Sequence, residues 1–184
     1  MGHVQWARDL ARTLLEEPLP RRWAHTQGVA EQAASLADVL GEDDTDMVTA
    51  SAWLHDIGYS PALAVTGLHP LDGARYLREV LYADERLCCL VAHHSGALVE
   101  AEERGLREDL AGEFGLPPEP LLDALTYSDM TTSPDGGRLT VERRLSEILE
   151  RYSPEDLVHR AITRSSPALT AAVRNVEERI AKLG

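Results

Sequence analysis

Apolar residues recur at helical spacing along almost the whole chain, and this periodicity restricts the fold more than any other feature. Trp6, Leu10 and Leu14 fall at four-residue steps, and Pro18 and Pro20 end the helix they mark. A second helix is expected from about Arg21 to Leu40, with Ala30, Ala33, Ala34 and Ala37 as its packing face and Gly41 as its stop. Asp44 or Thr45 is expected to cap a third, which carries Met47, Val48, Ala50, Ser51 and Leu54 inward and ends at Gly58. His69-Pro70 opens a fourth, and Asp84 caps a fifth that closes at His93-His94. A helix from about Glu119 to Thr132 leads into the turn Ser133-Pro134-Asp135-Gly136-Gly137. Val141, Leu145, Ile148 and Tyr152 mark the next helix, and Leu169, Val173, Val176, Ile180 and Leu183 the last. No stretch alternates with the two-residue period of a strand over a useful length, so the fold class is all-α.

The segment 95–120 holds glycines, charges and Pro117-Pro118, and reads as an inserted, partly helical excursion rather than core. A chain of 184 residues suits one domain, or one domain with a helical appendage. At that length a chain buries roughly 70% of its unfolded surface and needs no disulfide or metal merely to fold. The two cysteines, Cys88 and Cys89, are adjacent and cannot ordinarily bond to each other, which fits plain packing in a reducing compartment. No apolar run approaches the length of a membrane span, and Arg8 and Asp9 interrupt any signal-like start, so the expected location is cytoplasmic. The net charge of −13 repels nucleic-acid backbones and anionic lipid, so neither nucleic acid nor membrane is an expected partner. It would also repel a phosphorylated substrate unless bound cations reverse the local field.

The chemistry concentrates in histidines and acids at helix ends. His55 and Asp56 are adjacent after the apolar Ala52-Trp53-Leu54, and Asp129 follows Leu121, Leu122, Leu125 and Tyr127 with no basic residue within one turn. A carboxylate buried in such helices costs several kcal/mol unless something pairs with it, and a divalent cation would. Imidazole with carboxylate and no thiolate suits Fe, Mn, Co, Ni or Zn rather than a structural zinc site. His25, His69, His93 and His94 lie on further helices, whereas His3 and His159 read as surface residues. Each piece alone is weak, since a His-Asp pair at a helix end is more often a cap or a solvated pair. Their joint order is far more specific.

That order, His25 … His55-Asp56 … Asp129, resembles the ligand pattern of the HD superfamily of helical, metal-dependent phosphohydrolases. Arg22-Trp23-Ala24-His25-Thr26-Gln27-Gly28 and Leu54-His55-Asp56-Ile57-Gly58 resemble it most closely, in the manner of the bacterial branch that cleaves symmetrical dinucleoside tetraphosphates. The resemblance covers roughly residues 20–132 and implies an HD-type helical bundle within a single domain, 1–184, with additional C-terminal helices at about 138–184. It implies one or two divalent transition-metal ions. One would bind His25, His55, Asp56 and Asp129; a second would share Asp56 and take His69 and His93. The implied substrate is a nucleotide or small phosphorylated metabolite, cleaved at a phosphoester or phosphoanhydride bond by a metal-bound hydroxide. Asp56 and His94 would act in catalysis, with Arg21, Arg22 and His94 on the substrate phosphate; His94 has no secure match and would either ligate or bind phosphate as an imidazolium.

The spacing of thirty-six positions between His93 and Asp129 departs from the tetraphosphatase pattern. A di-iron oxygenase and a non-catalytic nucleotide-sensing module are the alternatives. The last apolar stripe is expected to dock on its own domain, with a homodimer through the C-terminal helices as the other use of the same face.

Overall fold

The computed structural model describes residues 3–184. Eleven α-helices run in order: α1 (His3–Leu15), α2 (Pro20–Ala34), α3 (Ala37–Leu40), α4 (Glu42–Leu54), α5 (His69–Arg75), α6 (Glu85–His93), α7 (Ala97–Arg104), α8 (Arg107–Glu113), α9 (Glu119–Met130), α10 (Val141–Arg151) and α11 (Leu157–Ala181). Among the described residues, one isolated bridge between Thr132 and Arg138 is the only strand-like pairing. The all-α expectation therefore holds. Among the described residues, no helix is long and apolar enough to cross a membrane.

α4 is the central element. It buries Thr45, Val48, Thr49, Ala50, Ser51, Ala52 and Leu54, and it packs against α1, α2, α6 and α9. A helix that small and uniformly buried lets its neighbours approach from several sides, which brings their ends together. Val29, Ala33, Val48, Leu90 and Leu125 fill one core, while Leu15, Leu54, Leu71, Leu77 and Phe114 fill another. A third joins Met130 of α9 to Val141 and Ile148 of α10 and to Leu169 and Val173 of α11.

Several local expectations change. The single helix from Arg21 to Leu40 is two, because the Ser35 hydroxyl donates to the Gln32 carbonyl at 2.7 Å and the chain turns there before α3. Neither Asp44 nor Thr45 caps α4. The helix already begins at Glu42, after Gly41 at φ +83°, and the Thr45 hydroxyl donates back to the Gly41 carbonyl at 2.7 Å. Asp84 does cap α6, accepting from the Arg86 backbone N–H at 2.7 Å.

The segment 95–120 is partly helical, as expected, but it also contributes to the core: α7 and α8 carry Ala97, Ala101 and Leu110 inward and Phe114 follows fully buried, while its other residues are exposed or half-buried. The final helix begins twelve residues before Leu169, capped by Asp156, and passes through Pro167. Its Leu169, Val173 and Val176 are consumed by docking on the rest of the chain, while Ile180 and Leu183 stay exposed. Cys88 and Cys89 are free and buried, and burial pushes the Cys88 thiol up to about 11.

Candidate metal centre

The C-terminal ends of α4, α6 and α9 meet in one place. His55 caps α4, His94 caps α6, and Asp129 lies in the last turn of α9. The unsatisfied carbonyls and macrodipoles of three helix ends make this a region suited to positive charge. α2 contributes His25, and the first residue of α5 is His69.

Two groups of ligand atoms form there, each with its members within 4.8 Å of one another: His25, His55 and Asp129, and Asp56, His69 and His94. Asp56 joins them. Its Oδ2 lies 3.3 Å from His55 Nε2 and its Oδ1 lies 3.4 Å from His69 Nε2. Apart from the partly buried His69, all these side chains are buried.

Three rings are oriented from behind. His55 Nδ1 faces the Ala52 carbonyl at 2.7 Å, His94 Nδ1 the Val91 carbonyl at 2.7 Å, and His25 Nδ1 the Ser133 carbonyl at 3.0 Å. A carbonyl only accepts, so each Nδ1 carries the proton and a neutral ring turns the bare lone pair of Nε2 inward. Those lone pairs then converge on other polar atoms. His25 Nε2 is 3.0 Å from Asp129 Oδ1, His94 Nε2 is 3.2 Å from His69 Nε2, and His55 Nε2 is buried without a hydrogen-bond partner. Buried lone pairs turned toward a carboxylate and toward one another are unfavourable alone and favourable around a cation. The donors present therefore fit a divalent metal of the nitrogen- and oxygen-binding kind.

The carboxylates stay ionised. Burial opposes charge on Asp56, yet Arg22 and His55 hold its carboxyl well below the usual range. Burial likewise opposes charge on Asp129, yet the groups around it hold its carboxyl below the usual range as well. Burial pushes His94 down to about 4 and, reinforced by the Arg22 guanidinium, takes His69 well below its ordinary value. Both rings are neutral near pH 7, as ligands must be. His55 moves the other way: burial opposes its charge, but Asp56 raises it.

The structure places several residues differently from the sequence reading. His93 does not join the second group; its Nε2 lies 2.8 Å from the Phe114 carbonyl, on the side of α8, and its Nδ1 is buried without a partner. His94 stands where His93 was expected, because α6 ends at His93 and the next residue leaves helical geometry with ψ 150°. Burial pushes His94 down to about 4, against the bond to the Val91 carbonyl, which favours the charged ring, so it is not held as an imidazolium for phosphate. Arg21 reaches outward and pairs with Asp135 at 3.0 Å, both exposed. Arg22 ion-pairs with Asp56 and lies 3.6 Å over the Tyr59 ring, which stacks on His69 with centroids 3.9 Å apart. His159 is half-buried rather than on the surface, with Nδ1 3.0 Å from the Tyr152 carbonyl.

Sequence reasoning missed four neighbours. Tyr59 is one, and Ser95, whose hydroxyl donates to Asp129 Oδ2 from a left-handed backbone at φ 45°, is another. The others are Arg144 and Arg151 of α10. A cavity of about 110 Å³ borders both ligand groups and these two arginines. A second cavity, of about 310 Å³, shares Arg22, His25, Arg144 and Arg151 with it and is walled by Pro18, Leu19, Pro20 and Pro134.

A family model for the HD domain matches residues 22–133, which include His25, His55-Asp56 and Asp129. The chain belongs to the HD domain family. Its HD domain spans α2 to α9, so α10 and α11 lie outside the matched part. Over 135 residues the chain is 30% identical to the tRNA (cytidine(56)-2'-O)-methyltransferase of Thermoplasma volcanium, a match that takes in 72% of this chain but only 36% of that protein. No solved structure matches the chain at significant similarity.

Proposed function

We propose that this HD domain is a metal-dependent phosphohydrolase that cleaves a phosphoester or phosphoanhydride bond of a small phosphorylated compound. The observation that carries the reading is the set of inward lone pairs on His25, His55 and His94, each fixed by a backbone carbonyl behind the ring and set against two ionised, buried aspartates. His25, His55 and Asp129 would hold one divalent cation, His69 and His94 a second, with Asp56 serving both.

Cations there supply Lewis acidity toward a phosphoryl oxygen and acidify a water enough to serve as nucleophile near neutral pH. The chain's own groups do the rest. Asp56, kept ionised by Arg22, accepts a proton more readily as its cationic partners are drawn elsewhere. Arg22, stacked over Tyr59, is placed to shift from Asp56 to a substrate oxygen, where a guanidinium binds bidentately.

The archaeal relative's name describes methyl transfer to tRNA, but the present chain spans 36% of that protein and carries a net charge of −13, which opposes binding to an RNA backbone. The buried imidazole–carboxylate cluster favours hydrolysis instead.

The test is metal analysis of protein purified without added metal, followed by a panel of phosphoesters and phosphoanhydrides on the same sample. One or two equivalents of a transition metal and turnover of at least one substrate are expected, both abolished in Asp56→Ala. Full metal occupancy and unchanged turnover in that variant, or no turnover of any phosphorylated compound with any divalent ion, would overturn the reading.

A further inference from the structure

The centre has a second set of charged groups on its roof, contributed by α10 and lying beyond the matched HD domain. Arg144 is 8% exposed, an unusual depth for an arginine. It gives one N–H to Glu147 at 2.7 Å, while its buried Nε has no hydrogen-bond partner. Arg151 pairs with the same Glu147. One carboxylate thus serves two guanidinium groups, leaving a net positive charge and an unused buried donor. Both arginines line the inner cavity beside the ligand groups and the outer cavity beside the proline wall. The other carboxylate on the inner cavity outside the centre, Glu100, is already paired with Arg104 at 2.7 Å.

We propose that Arg144 and Arg151 form a second anion subsite, which receives a phosphoryl group adjacent to the one held at the metal centre. Two guanidinium groups that share one carboxylate keep further N–H donors at the cavity wall, and a phosphate oxygen would accept from them through charge-assisted bonds. The inner cavity, at about 110 Å³, touches both the ligand groups and the two arginines. The two anionic groups of a ligand must therefore be close neighbours, as in a pyrophosphate unit, rather than at opposite ends of a long molecule. The remainder of the ligand then runs outward along Pro18, Leu19, Pro20 and Pro134. The chemical class is an organic compound with two adjacent phosphoryl groups. This inference rests on the phosphohydrolase reading for what the centre holds, but its readout is binding.

The test compares two adenosine probes with P–C bonds, the phosphonate analogue of AMP and α,β-methylene-ADP. Each is titrated calorimetrically into manganese-loaded protein at the same free manganese. The diphosphate probe is expected to bind about tenfold tighter, a preference of about 1.4 kcal/mol. Arg144→Gln and Arg151→Gln should each reduce the preference below about threefold while changing the monophosphonate affinity less than about twofold. Arg151 is more than a third exposed, so its variant decides the matter if Arg144→Gln unfolds. Equal binding of the two probes, or a preference that survives in Arg151→Gln, would overturn the subsite. Turnover of phosphomonoesters with no diphosphate preference would remove the subsite alone. A preference intact in a protein without turnover on any substrate would remove the hydrolase reading alone.

Discussion

His69 and His94 face each other through their Nε2 atoms at 3.2 Å, although twenty-five residues and two helices separate them in the chain. His94 donates its only neutral-state proton to Val91, so it can offer His69 nothing but a lone pair. The neighbouring His93 turns its ring to the Phe114 carbonyl instead. Two adjacent histidines therefore have different duties, and substitution separates them. His94→Ala is expected to remove about one equivalent of metal, or to weaken its binding at least tenfold, with little loss of metal-free stability. His93→Ala should leave the metal content unchanged and destabilise the fold by about 1–3 kcal/mol, because the buried Phe114 carbonyl loses its partner. Metal analysis and urea unfolding of both variants check this, and equal metal loss in the two would contradict it.

Two glycines set how closely the ligand-bearing segments approach. A Cβ on Gly28 would lie 2.3 Å from the Gly136 carbonyl oxygen, and one on Gly58 would lie 2.0 Å from the His69 carbonyl oxygen. The first contact seats the turn whose Ser133 carbonyl orients His25, and the second seats His69 itself. Gly28→Ala and Gly58→Ala are each expected to cost about 1–3 kcal/mol through overpacking. Each should also weaken metal binding, since backbone must move at a ligand. Thermal unfolding with metal titration tests both, and a Gly58→Ala protein with full stability and full affinity would refute the close-packing argument.

Acid should destabilise the metal-free protein partly through His94. Its folded value of about 4 lies below its ordinary 6.5, so on acidification the unfolded chain takes up the proton first. The contribution is absent above about pH 6.5, grows as the pH falls toward 4, and then levels off at about 3 kcal/mol of lost stability. His69, also depressed, acts in the same direction, whereas His55, which is raised, gains stability on protonation. The comparison that isolates His94 is between chelator-treated wild type and His94→Gln. Between pH 7 and pH 4 the variant should lose less stability in urea unfolding than wild type does. Parallel curves would show that His94 titrates normally.

Metal binding should be visible as stability. At a free concentration one hundred times the dissociation constant, a bound ion contributes about 2.7 kcal/mol. Chelation should lower the unfolding midpoint by several degrees and manganese or iron should restore it, while Asp129→Asn abolishes the increment. A midpoint that ignores both chelator and metal would place the ion elsewhere.

Much of this was legible in the residues. The apolar period located most of the helices, and the burial of Asp56 and Asp129 followed from their greasy neighbours. What escaped were directions. A helix turns about 100° per residue, so the choice between His93 and His94 depends on which residue ends α6, a point that periodicity locates only within a residue or two. Segment 95–120 was misjudged because its glycines and prolines punctuate helices too short to show a period, though Leu110 and Phe114 are fully buried. Arg144 left a readable trace: with Val141 and Ile148 it shares the buried stripe of α10. A charged residue on an apolar stripe, spaced three and four from its neighbours, is the signal that would have found it.

The backs of three imidazoles are tied to carbonyls, two of them in the last turn of the very helix that each histidine closes. Such rings have little freedom left to surrender when an ion arrives. Affinity for such donors rises from manganese toward copper and falls again at zinc, so the species found inside will reflect which of these ions the cell supplies as much as the fixed set of the rings.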